Sequence, residues 1–366
     1  MTLYGKGFYI WRVLRCEAGD VNAVANLASQ CGLSHILVKI ADGSSSYNVN
    51  TTTGEDYALE LVQALRERNI ACWGWHYVYG YEPLAEADIA IQRIQELGLD
   101  GYTVDAEAPY KEPGRDEDAR QFLTRLRQVL GSFPIALSSY RFPTYHPQFP
   151  FEAFLEQVDT NMPQMYWVGA HNPAEQLQRC LSEYENLTPF RPIMPTGSAY
   201  LQGDWQPTPA DIQEFLNAAR ALNMTAANFW EWANCRQNLP EIWDAICAFP
   251  WPPDPANEDI VVRYIAALNT HNPATLLALY NDNAAHVTAR RTIQGPAALN
   301  AWYQELFTHT LPNATFSLGE FSGRLGSRHF TWSAVTPSGL SAQGSDSFGL
   351  VDGKITYHYT AFTSSP

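Results

Sequence analysis

Short apolar or β-branched runs punctuate the first 250 residues, at 8–13, 36–40, 71–79, 102–107, 135–140, 161–167, 191–196 and 226–232. Their starts lie 26 to 35 residues apart, the length of one strand plus a crossover helix. Helical stripes fill several gaps. Val21, Val24 and Leu27 follow Asp20; Ile91, Ile94 and Leu97 precede Gly98; Phe122, Leu126 and Val129 precede Gly131. Ala58, Leu61 and Leu65 form a further stripe, as do Ile212, Phe215 and Ala219. Apolar faces of period 3.6 closed by glycine are what a helix packed on a sheet requires. Eight such repeats predict an α/β fold, a (β/α)8 (TIM) barrel over residues 1–249. A doubly wound open sheet is the alternative. It usually carries a Gly-rich turn after the first strand, and Val13-Leu14-Arg15-Cys16 is not one.

The pattern changes at Phe249-Pro250-Trp251-Pro252-Pro253-Asp254-Pro255. Prolines at this density continue neither a helix nor a central strand, so 250–257 reads as a stiff linker. Residues 258–366 then open with helices. One begins at Ile260, a short one covers Leu276–Tyr280, and a third covers Pro296–Phe307. Four strand-like runs follow: Ala314–Phe321, His329–Val335, Leu340–Leu350 and Ile355–Phe362. Val351-Asp352-Gly353-Lys354 reads as a hairpin turn between the last two. Helices followed by a curved antiparallel sheet predict a smaller α+β cone.

Composition narrows the function. The formal net charge is −15, which argues against phosphate-held nucleic acid and against docking on anionic lipid. No apolar run is long enough to span a membrane. The first residues, Met1-Thr2-Leu3-Tyr4-Gly5-Lys6-Gly7, lack the pattern of a signal peptide, so a cytoplasmic protein is expected as encoded. The six cysteines (16, 31, 72, 180, 235, 247) show no metal or redox spacing. A reduced, buried set is the simplest reading, with one long-range disulfide as the alternative. No metal site and no cofactor are expected.

The strand ends of a barrel carry its chemistry. Asp105 and Glu107 stand two apart at the end of the fourth run, so both face the interior. Two carboxylates in a confined mouth raise one pKa, giving an acid beside an ionised partner, as glycoside hydrolysis needs. The competing reading is a structural pair held by Lys39 or Arg141. Trp75, Tyr77, Tyr79, Tyr166, Trp167, Trp230 and Trp232 also fall at strand ends. Flat aromatic faces suit the C–H faces of sugar rings. About half of these are expected to be core filling, because strand neighbours face opposite sides. His76 reads as a hydrogen-bonded structural residue.

The run from Ile36 to Glu107 resembles the barrels of glycoside hydrolase family 25, the lysozyme type. Val38-Lys39-x-x-Asp42-Gly43, Gly74-Trp75-His76-Tyr77 and Asp105-Ala106-Glu107 match its strand motifs in order and spacing. The resemblance implies Glu107 as proton donor, Asp105 as its partner, Lys39 and Asp42 beside the sugar, and a cell-wall glycan as substrate. It also sets an extracellular or cell-wall role against the cytoplasmic expectation. The chain departs from the family at strand 1, where Tyr9-Ile10-Trp11-Arg12 has no Asp, and at Asp42, where the family has Glu. Glu231, at the end of the last strand, is a candidate to fill the missing role. A non-catalytic, carbohydrate-binding barrel is the alternative.

Residues 258–366 resemble the SnoaL-like branch of the nuclear transport factor 2 (NTF2)-like superfamily. The resemblance rests on Val261–Asn272, Thr292-Ile293-Gln294-Gly295-Pro296, and Gly344-Ser345-Asp346-Ser347-Phe348 with the Asp352-Gly353-Lys354-Ile355 that follows. It implies a dimerising or ligand-holding module, or a cyclase or isomerase acting on a small apolar compound. His286, Trp302, Tyr303, Trp332, Asp346 and Tyr357 are the expected pocket residues, with Asp346 as a candidate base. A homodimer through this domain is expected.

Overall fold

The computed structural model describes residues 3–251, 258–323, 326–351 and 353–365. The chain divides into two compact units, residues 1–252 and 253–366. The proline-rich linker expected at 250–257 lies, from Pro252 on, outside the described residues.

The first unit is a curled parallel sheet of nine strands, consistent with a TIM-like barrel. The strands are β1 (Gly5–Ile10), β2 (His35–Asp42), β3 (Ala71–Val78), β4 (Gly101–Ala106), β5 (Ile135–Ser138), β6 (Thr160–Asn161), β7 (Gln164–Met165), β8 (Thr196–Ser198) and β9 (Ala226–Trp230). Their spatial order is β6-β5-β4-β3-β2-β1-β9-β8-β7, and a two-residue strand at Ser45–Ser46 folds back on β2. The two ends of this order are consecutive in sequence. Met162-Pro163 breaks one strand into β6 and β7, and backbone bonds span the break on both sides. Gln164 N donates to Ser139 O at 2.8 Å, and Asn161 N to Pro192 O at 2.8 Å. The seventh run was expected to pair from Arg191. Pro192 and Pro195 have no N–H to give a ladder, and β8 starts at Thr196.

Nine helices separate or follow these strands among the described residues. They are α1 (Val21–Gln30), α2 (Tyr57–Arg66), α3 (Pro83–Leu97), α4 (Arg115–Leu130), α5 (Phe151–Leu155), α6 (Pro173–Glu185), α7 (Pro209–Ala221), α8 (Trp232–Asn238) and α9 (Pro240–Ala248). Asp20 caps α1 by accepting from Asn22 N and Ala23 N. Gly98 closes α3 at φ 60°, a left-handed turn that glycine takes without steric cost. The strands sort their side chains by alternation. Phe8, Ile10, Val104 and Ala106 pack outward against the helices. Tyr9, Leu37, Trp73, Trp75, Met162 and Met194 form a separate cluster inside the sheet.

The cysteines are not all reduced. Cys31, after α1, is bonded to Cys247 in α9, 216 residues away. The fold brings the two Cα atoms to 4.3 Å, a proximity that spacing along the chain does not reveal. Cys16, Cys72, Cys180 and Cys235 are free and buried. Lys6 lies beside the bridge. Its Nζ donates to Ile246 O at 2.7 Å and Phe249 O at 2.8 Å, satisfying carbonyls at the end of α9. Burial lowers its pKa to about 8.

The second unit packs α10 (Ile260–Asn269), α11 (Pro273–Leu277) and α12 (Pro296–Glu305) with a six-stranded sheet. The strands are β10 (Tyr280–Thr288), β11 (Thr292–Gln294), β12 (Thr315–Ser322), β13 (Ser327–Val335), β14 (Ser341–Val351) and β15 (Lys354–Ser365), in the order β11-β10-β15-β14-β13-β12. Four strands were expected; β10 and β11 are additional. Tyr280 begins a strand, where a helix end was expected. Asn281-Asp282-Asn283 disfavours a strand, and the ladder shifts register between Tyr280 and Ala285. Val351 pairs with Lys354 across the hairpin, and Asp352 within it lies outside the described residues.

Candidate functional site

The C-terminal ends of the first unit's strands surround a cavity of about 270 Å³. Asp105 is the inward residue next to the end of β4, and Glu107 follows two positions on. Gln164 of β7 joins them: its Nε2 donates to Asp105 Oδ1 at 3.1 Å and to Glu107 Oε1 at 2.8 Å. Asp105 is 6% exposed, and Glu107 is half-buried. Burial, then the charge of Glu107, holds the Asp105 carboxyl well above the usual carboxylate range; the Lys39 charge only partly offsets this. Among the described residues, neither carboxylate is in an ion pair. Lys39 is taken by Asp42 at 2.5 Å. Arg141 bonds Gln176 Oε1 at 2.6 Å and the carbonyl of Tyr166. The structural reading of a cation-held pair therefore lacks its cation.

Aromatic rings make the walls. Trp75 of β3 fixes its indole by donating to Ile10 O at 3.0 Å. It meets Trp230 edge-on at 5.3 Å and Tyr9 at 6.0 Å. Trp11 stands 6.3 Å from Trp230. Tyr77 and Tyr166 line the same space, with Ser138. Lys39 Nζ sits 4.4 Å from the Tyr47 ring centre and 4.8 Å from that of Trp75, so aromatic faces share the ammonium with Asp42.

Not every expected residue reaches this cavity. Asp42 turns aside to Lys39 and to the hydroxyl of Tyr79, at 2.9 Å. Burial would raise its pKa, but those two partners outweigh it and the net shift is downward. Trp167 is fully buried outside the sheet, 5.2 Å from Phe215, because it alternates with Tyr166. Glu231 is a helix cap. Its carboxylate accepts from Ala233 N at 3.1 Å and Asn234 N at 2.6 Å, because the chain turns into α8 directly after β9. His76 bridges Tyr102 and Gly43 O from a buried position. Gln164, Tyr9, Ser138 and Trp11 were not anticipated. A single Gln at a strand end carries no spacing signal.

In the second unit, Asp346 accepts from Trp332 Nε1 at 2.9 Å, Thr360 Oγ1 at 2.5 Å and His358 Nε2 at 2.8 Å. His358 Nδ1 meets Tyr280 at 2.6 Å, and Tyr303 links Tyr280 to Tyr264. His286 stacks on His358 at 3.9 Å and meets Trp302 at 4.3 Å. Its ring nitrogens have no partner among the described residues. Burial and then His358 lower its pKa to about 2. A cavity of about 600 Å³ opens beside Trp302, Leu306, Thr360 and Phe362, with Arg290 and Arg291 at its edge. Tyr357, expected in the pocket, is 45% exposed. It alternates with His358 and Thr360, which take the inward positions, and neither of those two was anticipated.

Residues 261–358 match the SnoaL-like domain family, and the second unit is a SnoaL-like, NTF2-like domain. Among solved structures, an NTF2-like protein of unknown function from Cytophaga hutchinsonii is similar at 16% identity, over 29% of this chain and 88% of its own, with a TM-score of 0.25. A SnoaL-like family protein from Agrobacterium tumefaciens is similar at 21% identity, over 30% and 97%, with a TM-score of 0.27. No curated protein matches the chain. No helix among the described residues is long and apolar enough to cross a membrane.

Proposed function

We propose that the first unit hydrolyses a glycan with Asp105 and Glu107 as its acid–base pair. One observation carries this reading: two carboxyl groups share one amide donor, with no cation in ion-pair contact, in an aromatic-walled cavity. Such a pair keeps one proton that water would remove, and it titrates as a unit. The resting proton favours Asp105, the more buried member. The half-buried Glu107 is the member more open to a bound sugar. The pair protonates the leaving glycosidic oxygen, and the remaining carboxylate supports the oxocarbenium charge or activates water. The resemblance to lysozyme-type barrels gives the same pair the same task.

The test is release of reducing ends from peptidoglycan and a polysaccharide panel by the wild type, Glu107→Gln and Asp105→Asn. Release by the wild type and its loss in Glu107→Gln support the reading. No release from any glycan by folded wild type leaves a sugar-binding barrel in its place.

A second reading is favoured by the family match. The SnoaL-like unit holds, or converts, a small apolar ligand in the cavity beside Trp302, and copies of this unit pair into a dimer. His286, with its nitrogens unpaired, lies behind the cavity wall against Trp302, whereas the oxygens of Asp346 already accept three bonds. Titration of the full chain with small aromatic carbonyl compounds tests the cavity, and Trp302→Ala should abolish binding.

A further inference from the structure

A second cavity, of about 460 Å³, adjoins the first. Trp11 lines both, so one indole forms their common wall. Trp11 is 42% exposed, and a sugar ring can pack on it. The two cavities differ in charge. The first holds Asp105 and Glu107 with one cation, Lys39, which is paired to Asp42. The second is edged by Arg12 and Arg15, with one carboxylate, that of Glu231, and the amides of Asn234, Gln237 and Asn238.

Arg12 donates through Nε to the Tyr47 hydroxyl at 3.1 Å, and its guanidinium sits 5.3 Å from the Trp11 ring centre. Its two terminal nitrogens have no acceptor among the described residues. Arg15 donates no side-chain hydrogen bond among the described residues, and its charge acts on Glu231. Glu231 lines the same cavity, but its two oxygens and those of nearby Glu17 already accept hydrogen bonds. Glu231 caps α8, and Glu17 is bonded by Arg236 at 2.8 Å and by Trp232 Nε1 at 3.2 Å. Two planar forks remain facing a concave, amide-lined space. Such forks match a carboxylate in two-point geometry.

We infer that the cavity beside Trp11 is a subsite for a sugar ring bearing a carboxylate, held by Arg12 and Arg15. This rests on the glycan-directed reading of the barrel and adds the substrate class. An anionic ring placed against Asp105 and Glu107 would meet like charge. Placed across Trp11 it meets two arginines and one carboxylate, Glu231, whose oxygens are turned to the backbone N–H groups of α8. The opposite signs orient the chain, with the neutral ring at the carboxylate pair and the acidic ring on the arginines.

The experiment uses the full chain carrying Glu107→Gln, so that ligand survives, and isothermal titration. The ligands are a glucuronate-containing oligosaccharide, an oligosaccharide bearing a lactyl-ether carboxylate, and the carboxyl-reduced counterpart of each. One acid at least should bind roughly tenfold or more tightly than its reduced form, as two charge-assisted bonds allow. Which of the two does so identifies the source of the carboxylate. Adding Arg12→Gln and Arg15→Gln should erase the preference and leave the affinity for the reduced form within about twofold. Equal affinity for acid and reduced forms overturns the inference. So does a preference that survives the double arginine change, or no binding at all. Reducing-end release by the wild type is read separately. A carboxylate preference without release takes down only the hydrolase reading. Release without a preference takes down only this inference.

Discussion

Asp105 in the barrel and Asp346 in the cone are both buried carboxylates on inward-facing strand positions. Their surroundings differ in the number of donors. Asp346 accepts from an indole, a hydroxyl and an imidazole, and tyrosines continue the network behind the imidazole. Asp105 shares the Gln164 amide with a second carboxylate, has the Ser138 hydroxyl beside it and borders open space. A satisfied buried acid rigidifies its surroundings. An under-satisfied pair stores electrostatic strain that a substrate can relieve, and such pairs cluster at reactive sites. Burial alone does not separate structure from chemistry; the second carboxylate and the open space beside Asp105 do.

The largest effect that can break this contrast is on turnover. Glu107→Gln should lower the rate of glycan cleavage by about 10²–10⁴-fold, the usual worth of a general acid–base group. Far-UV circular dichroism and binding of the intact glycan should be retained. A Glu107→Gln protein that cleaves at the wild-type rate removes the pair from the chemistry. The mirror experiment is Asp346→Ala, which leaves His358, Trp332 and Thr360 without their acceptor. Losing one partner of a buried charged network costs about 3–5 kcal/mol. Urea unfolding of the full chain should show that loss in the transition belonging to residues 258–365, with glycan cleavage unchanged. An Asp346→Ala protein of wild-type stability would show that the network does not hold the cone.

How far the sequence reaches differs between these sites. The Asp105/Glu107 pair was legible because a strand's period of two puts both on one side, and the strand repeats located that strand. The curled sheet was legible from the same spacing. Gln164 was hidden, since a lone amide has no pattern of its own and meets the pair only after Met162-Pro163 breaks the sixth strand. Glu231 stands directly after β9, as the strand repeats implied, but its capping of α8 was hidden because strand and helix join without a loop. In the cone, alternation favoured His358 and Thr360, but the aromatic ring of Tyr357 drew attention to the wrong parity. Asn281-Asp282-Asn283 concealed β10, and with it the partner strand that stacks His286 on His358.

A barrel with an under-satisfied site needs stability from elsewhere, and the Cys31–Cys247 bond is a candidate source. Closing a 216-residue loop restricts the unfolded chain, with a typical stabilisation of about 2–4 kcal/mol. Cys31→Ser with Cys247→Ser should lower the barrel's unfolding free energy by about that amount. Nine of the eleven tryptophans precede residue 256, so indole fluorescence reports this transition selectively. Lys6 should keep capping α9, because its acceptors are backbone carbonyls. If the double serine protein unfolds at the wild-type urea concentration, the bond contributes nothing and the stability lies in the core alone.

The smallest effect sharpens the comparison most. Asp105 has a folded-state pKa raised above its unfolded value near 3.9. Below about pH 3.9 the group is protonated in both states and folding is not penalised. As pH rises through the folded-state pKa, the folded barrel holds a proton that the unfolded chain has already released. Stability therefore falls across that window. Asp105→Asn keeps the shape and an oxygen to accept from Gln164, and it removes the titration. It should raise the barrel's Tm at pH 7 by about 2–4 °C, corresponding to about 1 kcal/mol for a unit of this size. At pH 3 the gain should vanish. The matching change in the cone, Asp346→Asn, should instead lower stability at pH 7, because the amide's NH₂ would face groups that need an acceptor. Fluorescence melts of the Asp105 variant and far-UV circular dichroism melts of the Asp346 variant at the two pH values decide it. A barrel variant that loses stability at pH 7, or gains equally at both values, would mean that Asp105 is as well satisfied as Asp346, and the contrast between the two sites would fail.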